Sequence, residues 1–312
     1  MNAEGPVIVI GAAGIDTKGR PQKPLQMGVS NLGMVRSSVG GVARNIAENL
    51  ARLEVPTILL SAVGQDATGD LVLAHTSQAG VDTSYALRLP DVPTGNYVAI
   101  LDHKGQLAVS VSEYDIVSAI SPSYLQEHRT LLAEAAMIVI DASLSTKTLA
   151  SVFRWAKRFK VPVCADPTSQ LLAKKLLPYL ADLYLVTPDI MESTILCQTP
   201  SSPPRTRDQA IEAAQCLVSL GAGTALITMA ERGVAFADGT STGHVAALLT
   251  QIVDATGAGD ALTAAVIFGL LNDIPLDEAV RLGVTAASLT LRTRDTVAPD
   301  LSLDKLYDEL VV

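Results

Sequence analysis

Short apolar runs rich in β-branched residues alternate along the chain with segments of helical period. VIVIG at residues 7–11 precedes a stripe of Ile46, Ala47, Leu50 and Leu53, spaced to lie on one helix face. TILLSAVG (57–64) precedes a helical period through 71–79, and AMIVID (136–141) precedes another over 149–159. VPVCAD (161–166), LYLVTP (183–188), a helix near 210–220 and TALITM (224–229) continue the series. Strand followed by helix, repeated, predicts an α/β fold whose parallel sheet carries helices on both faces. Ligands of such sheets collect at the carboxyl ends of the strands. Residues 11–16, Asp141, Asp166, Pro188, Asp189, Thr228 and Met229 all fall at such ends.

Two stretches break the alternation. Residues 17–38 are polar and rich in glycine and proline, whereas 92–112 read as a hairpin of TGNYVAILD, a His103-Lys104-Gly105 turn and QLAVSVS. An isolated pair of strands is marginal in water, so these pieces are expected to join in one small sheet. No repeat or low-complexity segment interrupts the chain, and QTPSSPPRTR at 198–207 reads as a surface loop.

With 312 residues the chain can bury a full α/β core, and its formal net charge of −9 disfavours nucleic acid or an anionic membrane as partner. The N-terminal segment lacks a basic region, and no apolar run reaches the roughly 18 residues that span a bilayer. A cytoplasmic protein is expected by elimination. Cys164, Cys197 and Cys216 stand singly in apolar surroundings, so buried thiols are expected and no disulfide. The four histidines sit in unrelated contexts and read as surface or packing residues.

The densest chemistry lies at 253–262, VDATGAGDAL, where a glycine-rich turn and a carboxylate precede an uncharged apolar stretch. Glycines let backbone N–H groups converge on an oxyanion, and a helix dipole adds to the attraction. A carboxylate inside such a hole repels the anion, so Asp260 is better suited to accept a proton from a hydroxyl attacking phosphorus. Taken alone, the turn reads equally well as an ordinary connection with Asp at a helix start. A second segment, Gly40-Gly41-Val42-Ala43-Arg44-Asn45, opens a helix with paired glycines and an amide that both donates and accepts, as a sugar requires. Its plain alternative is a helix start with a surface Asn.

GGVARNIAENLARL and DATGAGDAL together resemble the two signature segments of the PfkB (ribokinase-like) carbohydrate kinases, with VGQDATGD, Asp166-Pro167 and TPDIMES between them in the family's order. The likeness spans nearly the whole chain. Residues 15–19, 30–33 and 299–302 are, within the family, most similar to the pseudouridine kinases. The resemblance implies a ribokinase-like three-layer fold, with a central mostly parallel sheet plus a small β-sheet lid from about 17–38 and 92–115, in a single domain over 1–312. It implies ATP-dependent phosphorylation of the 5′-hydroxyl of pseudouridine, or else of another nucleoside or sugar. A binding protein without catalysis on the same fold is the competing class.

Roles follow from the matching positions. Asp260 is the implied base, and the amides at Gly257, Ala258, Gly259 and Asp260 are the implied anion hole. Asp16, Gly41 and Asn45 are implied to hold ribose hydroxyls, with Ser30, Asn31, Thr94, Ser112 and Asp166 as further substrate contacts. Thr228 and Gly233 resemble nucleotide-binding positions, although Ala230 stands where the family usually has glycine. Asp189 and Glu192 match an Asn-x-x-Glu motif tied to magnesium and phosphate, with Asp in place of Asn. Potassium is implied beside Asp254 and Thr256, and a homodimer through the lid.

Overall fold

The computed structural model describes residues 5–198 and 203–310. Strands run β1 Val7–Ile10, β2 Gly14–Pro21, β3 Gly33–Gly40, β4 Thr57–Leu60, β5 Ala62–Gly64, β6 Leu87–Leu89, β7 Gly95–Leu101, β8 Leu107–Glu113, β9 Met137–Asp141, β10 Val163–Asp166, β11 Leu185–Val186, β12 Thr224–Thr228, β13 Val234–Asp238 and β14 Thr242–Val245. Helices are α1 Val42–Arg52, α2 Ala67–Gln78, α3 Pro122–Glu127, α4 Arg129–Glu134, α5 Thr146–Phe159, α6 Gln170–Ala173, α7 Ile190–Leu196, α8 Arg207–Ser219, α9 Ala258–Leu271, α10 Leu276–Leu291 and α11 Leu303–Asp308.

Eight strands form the central sheet in the order β14-β13-β12-β11-β10-β9-β1-β4. All pairings from β12 to β4 are parallel, and only β13 and β14 add an antiparallel edge. The inner strands are buried on both faces, which is why VIVI and MIVID read as unbroken apolar runs. Alternate side chains feed two separate cores: Ile8, Ile10, Ile138 and Ile140 face one, Val7, Val9, Met137 and Val139 the other. Helices cover both faces, so the molecule has three layers. α9 packs between α1 and α10, and its run from Asp260 to Gly269 is buried. That burial explains a helix without outward polarity.

The small sheet has the order β3-β2-β7-β8, with β2 parallel to β7 and the outer pairs antiparallel. Residues 17–38, polar and rich in glycine and proline and expected to join the small sheet, contain most of the β2–β3 hairpin. Asp16 lies opposite both Ser38 and Tyr97, and Tyr97 opposite Ser112, so one face carries a polar row. The polar face hides the alternation that marks a strand. Val35, Val98, Val109 and Val111 occupy the other face and are exposed. TILLSAVG divides at Ser61, whose hydroxyl donates to Gly11 O at 2.6 Å, and its second half pairs with β6. Among the described residues no helix is long and apolar enough to cross a membrane, and the three cysteines are free thiols. The loop expected at 198–207 lies partly outside the described residues.

Candidate active site

α9 begins one turn earlier than the sequence reading placed it, so Gly259 and Asp260 belong to its first turn. Gly257 is its N-cap with φ 82°, and an added Cβ would lie 1.8 Å from Thr296 O. Only glycine fits there. The first intrahelical bond runs from Ala261 N to Gly257 O at 2.9 Å, leaving the amides of Ala258, Gly259 and Asp260 without helical acceptors. No side chain caps this end. A Cβ on Gly259 would meet nothing within 4 Å, so the glycine answers no packing need of the chain itself. Three amides and a helix dipole therefore converge on open space, an arrangement suited to an anion.

The Asp260 carboxylate is buried and accepts a hydrogen bond from Asn45 Nδ2 at 2.7 Å. Asn45 Oδ1 lies 3.0 Å from the Thr296 hydroxyl, which in turn lies 2.6 Å from Val39 O. The two signature segments thus meet through one amide side chain. Burial pushes Asp260 well above the ordinary carboxylate range, against the lowering effect of the Asn45 bond; Asp16 raises it further. A buried carboxylate shifted in this direction is matched to proton acceptance near neutral pH.

Asp16, at the cleft end of β2, is buried, and its carboxylate takes no hydrogen bond from the described residues. Burial raises its pKa to about 6, offset in part by Lys18 and Arg44. Gly40 gives it room, since a Cβ there would lie 2.5 Å from the Asp16 carboxyl carbon. Gly41 caps α1 with φ 96°, and its Cβ would strike Ala12 O at 2.5 Å. The paired glycines therefore seat the start of α1 against Asp16 and the end of β1. One turn in, Arg44 is fully buried, within electrostatic reach of Asp260 and Asp16, and pairs with Glu48 at 2.9 Å.

Several residues that organise this cleft do so through contacts the sequence does not show. Asp141, fully buried at the end of β9, accepts from Ala12 N at 2.7 Å and Ala43 N at 3.2 Å, and also from Ser143. It ties three chain segments together beneath the cleft. Arg44 and Glu48 could have been noticed as an opposite-charge pair at i,i+4 inside an apolar helix stripe. Thr296 carried no signal at all.

Lys18 Nζ donates to Asp254 Oδ1 and Oδ2, both at 2.7 Å, and to Thr256 Oγ1 at 2.5 Å. An ammonium therefore stands against the side chains of the two residues beside which potassium is implied, and the side-chain oxygens of Asp254 and Thr256 are committed to it. Asp189 Oδ1 accepts from Met191 N and Glu192 N, while Glu192 Oε2 accepts from Asp189 N, a complete capping box on α7. Asp in place of Asn thus also serves helix capping. Among the described residues no three His, Cys, Asp or Glu side chains form a ready-made metal site. Burial and the neighbouring Asp166 and Asp189 nevertheless raise Glu192 to about 8, and burial with Asp260 raises Asp166. These carboxylates leave the cleft short of positive charge.

Of the lid residues, Ser112 shares the Asp16 row but is exposed, two strands away. Thr94 is spent elsewhere: its hydroxyl donates to Asp66 Oδ1 at 2.7 Å and accepts from Gly64 N at 2.9 Å, closing the β5–α2 loop. Asn31 uses its amide on Gln26 and Val29 within the β2–β3 turn, where Ser30 is exposed. Thr94 and Asn31 thus spend their side chains within their own loops. Thr228 ends β12 beside Asp189. Ala230 adopts φ 52°, the left-handed region glycine enters freely, so the turn keeps its shape at some strain. Gly233 follows with φ 91°, where a Cβ would lie 2.1 Å from Val245 O.

Comparison with known proteins gives the family and the fold. The pattern described as pfkB family carbohydrate kinase matches residues 6–302. A pseudouridine kinase from Escherichia coli (strain K12) is 32% identical over 97% of this chain and 96% of its own. A guanosine-inosine kinase from Exiguobacterium acetylicum is 27% identical over 96% and 99%. The structure of Arabidopsis thaliana ribokinase complexed with ribose and ATP superposes with a TM-score of 0.86 at 22% identity, covering 99% of both chains, and so shares the fold. A signature at each end of the cleft, a shared ribokinase-like architecture and a family match over nearly the whole length lead to one conclusion: the chain belongs to the pfkB family of carbohydrate kinases.

Proposed function

We propose that the protein is an ATP-dependent kinase that phosphorylates the 5′-hydroxyl of pseudouridine. The observation that carries this reading is the buried Asp260 carboxylate, raised toward neutrality at the uncapped N-terminus of α9 and facing the unbonded carboxylate of Asp16. Asp16 is suited to accept from a sugar diol, which supplies the donors it lacks. The acceptor hydroxyl, so held, passes its proton to Asp260 as its oxygen attacks the γ-phosphorus. Charge on the transferring group falls on the amides of Ala258, Gly259 and Asp260. Thr228 and Gly233, near the same strand ends, are the proposed nucleotide contacts.

Magnesium fits the charge pattern of the cleft. Asp166 and Glu192 are both raised by burial and by neighbouring acids, so a cation arriving with the phosphates would relieve them. When bound it supplies Lewis-acid stabilisation to the phosphates. The relative from Escherichia coli supports pseudouridine as acceptor, while the guanosine-inosine kinase makes purine nucleosides the alternative. We also propose a homodimer, because Val35, Val98, Val109 and Val111 form an exposed apolar face on the small sheet. Sedimentation of a monomer at micromolar concentration would refute it.

The functional test is ADP release from ATP and magnesium with pseudouridine, uridine, cytidine, adenosine, inosine and ribose. A kcat/KM for pseudouridine at least about tenfold above the others is expected. Preference for another acceptor overturns the substrate assignment. Nucleoside binding without turnover on any of them overturns the kinase reading.

A further inference from the structure

The Lys18 ammonium has three protons and finds three oxygens, two on Asp254 and one on Thr256. The contact joins the small sheet to the segment that leads into the anion hole, and both charged side chains are largely shielded, at 15% and 25% exposure. It is therefore more than an exposed surface pair, which would contribute little. Thr256 N also donates to Asp254 Oδ1 at 2.9 Å, so the same carboxylate holds the backbone just before Gly257. Lys18 shares the polar face of β2 with Asp16, two residues away.

Without a cation, Asp254 would place an uncompensated negative charge next to amides that must attract phosphate. With Lys18 in place the charge is cancelled and the loop is pinned from the other side of the cleft. We propose that Lys18 is a positioning residue whose ammonium serves as the built-in monovalent cation of this site, so that the protein needs no potassium there. The role in turnover rests on the phosphoryl-transfer reading above; the binding claim does not.

The test compares wild type with Lys18→Met in choline, lithium, sodium and potassium chlorides at matched ionic strength. Thermal midpoints need no substrate, so this arm is readable even if no acceptor is found. Wild type is expected to melt at the same temperature in potassium as in choline. Lys18→Met is expected to rise by about 2 °C or more in potassium, because the freed oxygens then bind the ion. In turnover, wild type should be indifferent to the cation. Lys18→Met in choline should lose about tenfold in kcat through a misplaced anion hole, with partial recovery in potassium. Stabilisation or several-fold activation of wild type by potassium overturns the proposal, as does a Lys18→Met protein indifferent to potassium. If Lys18→Met does not fold, the wild-type salt series decides alone.

Discussion

Replacing Asn45 with Ala removes the one side-chain hydrogen bond that the Asp260 carboxylate takes among the described residues, the 2.7 Å contact from Nδ2. A hydrogen bond to a charged group contributes roughly 1.5–3 kcal/mol. At about 1.36 kcal/mol per unit, its loss raises the Asp260 pKa by roughly one to two units, because only the ionised form is stabilised by the donor. The base acts when deprotonated, so the acid limb of kcat/KM moves to higher pH by the same amount. On that limb the rate falls about ten- to hundredfold, and on the alkaline plateau it returns close to wild type. The Thr296 hydroxyl keeps its 2.6 Å contact with Val39 O, so the local backbone retains that anchor. The assay is ADP release as a function of pH, with thermal melting to confirm folding. A loss of equal size at every pH, or an unmoved limb, refutes Asn45 as the group that sets the base.

The cleft acids also make stability depend on pH. Asp16 and Glu192 have folded pKa values raised to about 6 and about 8, so the folded state binds protons more tightly than the unfolded chain and loses stability as pH rises through those values. Thermal midpoints measured without ligands should fall between about pH 4 and about pH 8 from these two groups, and Glu192→Gln should be more stable than wild type by on the order of 2 kcal/mol at the alkaline end while matching it at the acid end; a midpoint gap that does not change with pH counts against this. Ala230→Gly relieves the φ 52° strain and is expected to raise stability by up to about 1 kcal/mol in denaturant titration, a fall showing the turn to be unstrained. Gly257→Ala forces a Cβ to 1.8 Å from Thr296 O and should destabilise by more than about 2 kcal/mol in the same titration; an unchanged midpoint would mean that the turn is loose.

The central layer was legible because strands buried on both faces must be apolar throughout: VIVI and MIVID could hardly lie elsewhere. Gly257 and Gly41 were legible because each answers a backbone demand that only glycine meets, and the place of Asp260 at the helix mouth was legible from the turn before it. What escaped the sequence was tertiary. The small sheet was expected from 17–38 and 92–112, but the bounds of β2 and β3 were not, because their polar side chains toward the cleft mask the alternation. Asp141 and Thr296 bond main-chain groups far away in sequence, and such bonds leave no periodic trace. Lys18 was passed over for the same reason, since its partners Asp254 and Thr256 lie at the other end of the chain. Asp189 and Glu192 carry two readings at once: the motif expected to serve magnesium also spells a capping box.

The most direct measurement is the single-turnover rate of Asp260→Asn with ATP, magnesium and the best acceptor, alongside acceptor binding by calorimetry. A rate reduced by about 10² to 10⁴ with binding nearly intact is the expected result, since the amide keeps the shape and loses the proton acceptor. Turnover close to wild type would contradict the assignment of Asp260 as base, whatever the anion hole contributes.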